Sequence, residues 1–120
     1  MAKSLLLISR QSPWSGPGAR EALDIVLAGG AFDLPIGLLF LDDGVLQLLT
    51  GQDASAVQQK DLSANLQALP MFGVEALFVC ADSAARRGID TAALALDDMK
   101  VLTARDITAL IDRYDQVITL

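Results

Sequence analysis

The chain has no histidine and a single cysteine, Cys80. The first absence removes Ser-His and Cys-His dyads and histidine-based metal sites. The second removes any internal disulfide, in keeping with a reducing compartment. Basic residues are scarce as well: nine Lys and Arg stand against fifteen Asp and Glu, a formal net charge of −6, and only Arg86 and Arg87 are adjacent. A protein that grips RNA or DNA needs a basic face for the phosphates, so direct nucleic-acid binding is not expected. No apolar run approaches the roughly 20 residues that span a bilayer, and no membrane association is expected. Leu5-Leu6-Leu7-Ile8 is followed at once by Ser9-Arg10-Gln11. Its apolar core is about four residues, below the roughly 7 to 15 of a signal peptide. It reads as a first strand, in a cytoplasmic protein. Repeats, linkers and low-complexity stretches are also lacking, so residues 1–120 read as one domain.

What the chain does have is apolar residues, 52% of the total. With no membrane to take them, the surplus points to a subunit interface. Apolar runs at 5–8, 36–41, 74–79, 100–102 and 117–120 read as strands. Between the first two, Ala19, Ala22, Leu23, Val26 and Leu27 recur at the spacing of one buried helix face, with Gly29-Gly30 expected to end that helix. Residues 50–60 read as a polar loop, and Leu62, Leu66 and Leu69 mark a helix stopped by Pro70. Residues 81–87 form a further helical stretch closed by Gly88, and 90–98 a connecting turn or short helix. Thr103 with Asp106 three residues on predicts a capped last helix, with Ile107, Leu110, Ile111 and Tyr114 on its buried face. Strand-helix alternation of this length predicts a three-layer α/β/α domain with a mostly parallel sheet of about five strands.

In such sheets chemistry sits beyond the carboxyl ends of the strands, which is where Cys80 falls. A thiol at a helix start is favoured as thiolate by the dipole, and Arg86 or Arg87 would help if the helix folds back. The opposing reading is that a free cysteine is a common core filler. Ser15-Gly16-Pro17-Gly18 precedes a helix but lacks the Gly-Lys-Ser/Thr of a phosphate loop, so it reads as a plain connection and argues against a flavodoxin-like nucleotide-binding module. Asp42-Asp43-Gly44 after a strand is ordinary turn chemistry rather than a metal site. Neither a metal nor a cofactor is expected. Trp14 reads as a partner anchor or, equally, as a cover over the end of the core. Val45, Leu46, Leu48 and Leu49, lying beside turns, read as an apolar partner patch.

Three stretches together resemble the TusC/DsrF family of the DsrE-like superfamily: Gly18-Ala19-Arg20-Glu21-Ala22-Leu23-Asp24, Phe40-Leu41-Asp42-Asp43-Gly44-Val45-Leu46-Gln47-Leu48-Leu49-Thr50-Gly51-Gln52, and Val79-Cys80-Ala81-Asp82-Ser83-Ala84-Ala85-Arg86-Arg87-Gly88-Ile89-Asp90. Tyr114-Asp115-Gln116-Val117-Ile118 also fits. The resemblance spans essentially the whole chain, and the second stretch is the most specific. It implies a DsrE-like fold and a subunit that joins TusB-like and TusD-like relatives in a heterohexamer. Such a complex takes persulfide sulfur from a TusA-like carrier and passes it through a TusE-like one toward 2-thiolation of a tRNA wobble uridine. In that family the established carrier cysteine belongs to the TusD/DsrE-type subunit, and Cys80 falls at the matching position. The expectation is a structural, partner-binding subunit. The alternatives are an active persulfide-carrying sulfurtransferase using Cys80, or a DsrF-type subunit of a sulfur-oxidation complex.

Overall fold

The computed structural model describes residues 3–12, 18–48, 68–74, 76–89 and 99–120. Five strands, β1 Leu5–Ser9, β2 Ile36–Phe40, β3 Ala76–Cys80, β4 Lys100–Leu102 and β5 Gln116–Thr119, form one sheet in the order β4-β3-β2-β1-β5. Every neighbouring pair runs parallel. Among the described residues the α-helices bounded at both ends are α1 Gly18–Ala31, α2 Ala81–Arg86 and α3 Ala104–Asp112, with 3-10 turns at Asp42–Leu48 and Leu69–Phe72. The three inner strands are apolar on both faces, as burial between helical layers demands.

The strand order dictates which helix lies where. From β1 to β4 the chain steps in one direction, and right-handed crossovers keep those connections on a single face. The step from β4 to β5 returns across the whole sheet, so α3 lands on the opposite face. The packing agrees. Leu7, Leu38, Phe40, Leu77 and Val79 meet Leu23, Val26, Val45, Leu48 and Ala84 on the first face. Leu6, Ile8, Leu39, Phe78 and Cys80 meet Ile107 and Leu110 on the second.

Several local expectations are met in detail. Thr103 Oγ1 accepts from the Asp106 N–H at 3.3 Å and Asp106 Oδ2 accepts from the Thr103 N–H at 3.2 Å, closing the capping box. Gly88 takes φ 68° just past α2. Its N–H reaches Ala85 O and that of Ile89 reaches Ala84 O, a Schellman closure. Others are corrected. Gly29-Gly30 do not end α1, which continues to Ala31 and turns at Asp33 with φ 58°. The glycines serve contact instead: a Cβ on Gly30 would sit 2.5 Å from both Phe72 O and Val74 Cγ2. Pro70 lies inside the Leu69–Phe72 3-10 turn, directly after the helical Ala68, and the rest of the helix expected before it lies outside the described residues.

The partner patch expected at Val45 and Leu48 is also corrected. Both are 0% exposed. Residues Asp42–Leu48 wind with three residues per turn, so Val45 and Leu48 stand one above the other and face the sheet. Leu46 falls off that stripe and is half-buried. Trp14, Leu49, Leu62 and Leu66, the loop at 13–17, the segment 49–67, the connection 90–98 and the side chain of Ala19 lie outside the described residues.

The edge strand β5 is exposed along its length and is pinned at its start. Asp115 accepts from the Ser4 N–H at 2.8 Å and from Ser4 Oγ at 3.1 Å. These bonds hold the carboxyl below its ordinary value of 3.8. A depressed folded-state pKa contributes stability above the unfolded value and loses it as pH falls through the folded one. The stability advantage of the native chain over Asp115→Asn is therefore expected to shrink as pH drops below about 4. Urea unfolding at pH 7 and pH 3 checks this, and an advantage unchanged with pH refutes it.

Candidate functional site

Cys80 closes β3 and at the same residue begins α2. With φ −77° and ψ 117° it is still extended, and its Sγ accepts from the Ser83 N–H at 3.4 Å as the helix N-cap. The side chain is 5% exposed, packed in the second-face cluster that also holds Leu102 and Ile107. The chain leaves β3 for α2 on one face and leaves β4 for α3 on the other. Cys80 pairs with Leu102 in the register. The crevice between them is thus the point where successive connections diverge to opposite faces, the usual ligand position of an open parallel sheet.

Beside this crevice a polar lattice ties the strand ends together. Arg10 Nε donates to Asp42 Oδ2 at 2.7 Å, and Arg87 Nε to Asp43 Oδ1 at 2.9 Å. The Asp42 N–H donates to Ser83 Oγ at 3.0 Å, linking the 3-10 turn to α2. Gln47, buried on the same turn, donates through Nε2 to Ser9 Oγ at 2.7 Å and to Gln11 O at 2.9 Å. Asp42 reaches this position with φ 52°, a conformation aspartate tolerates better than most residues.

The lattice answers two questions raised by the sequence. Arg86 and Arg87 are not turned onto the thiol: Arg86 pairs with Asp82 at 3.0 Å, and Arg87 with Asp43 at 2.9 Å. Asp42 and Asp43 are each bound to a guanidinium, and among the described residues no group of three His, Cys, Asp or Glu converges as a metal site would require. The roles of Arg10, Ser83 and Gln47 were not foreseen. A single glutamine within the apolar run from Val45 to Leu49 was the available signal, because a buried amide requires a partner. Among the described residues no helix is long and apolar enough to cross a membrane.

Fold and site define an open, all-parallel α/β domain with a cysteine at its diverging strand ends. A profile of the DsrE/DsrF-like family matches residues 3–120, and the chain belongs to that family. It is 64% identical over 120 residues to a protein named Protein TusC homolog from Pseudomonas aeruginosa, covering 100% of each chain. It is 37% identical over 103 residues to the Intracellular sulfur oxidation protein DsrF of Allochromatium vinosum, covering 83% of this chain and 76% of that one. The crystal structure of the ychN protein from E. coli superposes with a TM-score of 0.79 over 100% of both chains at 20% identity, a likeness of fold. The chain's relatives within that family thus include a TusC homolog and a DsrF protein.

Proposed function

We propose that this chain is a structural, partner-binding subunit of a cytoplasmic sulfur-relay complex, joined to TusB-like and TusD-like subunits in a heterohexamer. It acts there as one DsrE/DsrF-like domain over residues 1–120. The complex receives persulfide sulfur from a TusA-like carrier and delivers it through a TusE-like one toward 2-thiolation of a tRNA wobble uridine. The observation that carries this reading is the burial of the only thiol. A persulfide carrier must present a thiolate to the donor's outer sulfur, form the new S–S bond and release the donor's own thiolate. At 5% exposure, with its sulfur engaged as a helix cap, Cys80 is poorly placed for that attack. The 64% identity to a TusC homolog, against 37% to DsrF, favours the thiolation setting over sulfur oxidation.

A second reading, in which Cys80 carries persulfide, draws on its position at the diverging strand ends. Intact-mass measurement of the reconstituted three-subunit complex after exposure to a persulfide donor separates the two. Sulfur is expected on the TusD-like chain and not on this one, and Cys80→Ser is expected to retain both assembly and tRNA thiolation. A gain of one sulfur here that Cys80→Ser abolishes makes this chain the carrier.

A further inference from the structure

Among the described residues, the face that carries α3 is thinly covered. Nine residues of helix are about 14 Å long and 10 Å wide, whereas five strands spaced by about 4.8 Å present roughly 20 Å of sheet. At the amino ends of β3 and β4 this leaves an open groove of about 440 Å³. That volume lies within the roughly 300–1,000 Å³ of small-molecule sites. Its apolar lining includes Ala76, Phe78 and Leu110, and its polar lining includes Lys100, Arg113 and Tyr114.

Ser4 also lines the groove with its hydroxyl committed to Asp115, while the two charged lining groups, Lys100 and Arg113, are both cations. Among the described residues the ion pairs use Arg10, Arg20, Arg86 and Arg87, leaving Lys100 and Arg113 with no carboxylate. The nearby Asp115 carboxylate is committed to Ser4. Tyr114 lays its hydroxyl over Gly37, where any Cβ would collide with Oη, so the phenol lies against the sheet because that residue is glycine. Desolvation raises the Tyr114 pKa despite the neighbouring Arg113, which keeps the hydroxyl a donor at neutral pH. In a chain of net charge −6, a groove whose charged lining groups are both cations favours an anion.

We propose that this groove is a binding site for a small organic acid with an apolar body. Lys100, Arg113 and the Tyr114 hydroxyl meet the acid group, and Ala76, Phe78 and Leu110 receive the body. The groove runs on the same sheet face as Cys80, reaching Leu102 beside it, and the proposal does not depend on the relay reading.

The test is a fluorescence titration of the full chain with 8-anilinonaphthalene-1-sulfonate, alongside the neutral N-phenyl-1-naphthylamine. Saturable binding of the sulfonate is expected, weakened at least tenfold in Lys100→Gln/Arg113→Gln, with the neutral dye affected less than twofold. Both exchanged residues are exposed, so the fold should be kept. Lys100→Gln alone, expected to weaken the sulfonate several-fold, serves if the double variant does not fold. Ala76→Trp, which fills the groove, is expected to abolish binding of both dyes. Sulfonate affinity unchanged by the charge removals, an equal loss for both dyes, or binding that survives in Ala76→Trp overturns the proposal.

Discussion

Gly44→Ala is expected to destabilise the fold by about 3 kcal/mol, at the upper end of ordinary overpacking. A Cβ built on Gly44 collides with the carbonyl of Ser9 and comes within 3.3 Å of the Arg10 Cα. These are backbone atoms at the end of an inner strand, with none of the give of a long side chain. The Ser9 carbonyl is held further by the Leu41 N–H, which donates to it at 3.0 Å. Relief therefore requires the whole Asp42–Leu48 turn to move away from β1. That movement pulls on the Arg10–Asp42 pair and on the Gln47–Ser9 bond, both of which cross the same seam. Gly88→Ala is the contrasting control. Its φ of 68° disfavours alanine, yet nothing lies within 4 Å of the added methyl, so about 1 kcal/mol is expected. Urea unfolding measures both, and a Gly44→Ala variant within about 0.5 kcal/mol of the native chain refutes the close approach.

Leu48→Asp is expected to be as damaging or worse, about 4 kcal/mol, because it places a carboxylate in an enclosure that the described residues make apolar. Leu46→Asp, two residues away, is expected to cost about 1 kcal/mol and leave the fold intact, since Leu46 is half-buried at the edge of the same cluster. If the relay reading is right, its effect falls on assembly: less of the substituted chain should co-purify with TusB-like and TusD-like subunits. Unfolding curves and co-purification separate the two residues. Native stability in Leu48→Asp refutes its core position, and undiminished co-purification of Leu46→Asp removes that residue from the partner surface.

Much of the architecture was legible because its signals are local. Apolar strands, the Thr103–Asp106 cap and the left-handed Gly88 each depend on residues within a few positions of one another. The errors share the opposite origin. Gly29 and Gly30 look like a helix stop until Ile36, Phe72 and Val74 are brought against them, and only the tertiary contact explains why the helix continues. Val45 and Leu48 look exposed beside a turn until the tighter 3-10 winding rotates both inward. At the site, the place of Cys80 followed from the strand-helix alternation. Its burial did not, because that depends on Leu102 and Ile107, more than twenty residues further along the chain. The commitments of Arg10 and Arg87 to the two aspartates were likewise hidden, since the pairs join elements distant in sequence.

The pairing of β1 with β5 has a kinetic consequence. Leu5 to Ile8 are made long before Gln116–Thr119, which is one of their two neighbouring strands. The Ser4–Asp115 bonds span 111 positions. Such contacts repay the entropy of loop closure only at the end, which slows folding and leaves β1 with an open edge meanwhile. During synthesis that edge is a template for pairing with another chain, so the nascent protein is most prone to aggregation just before β5 emerges.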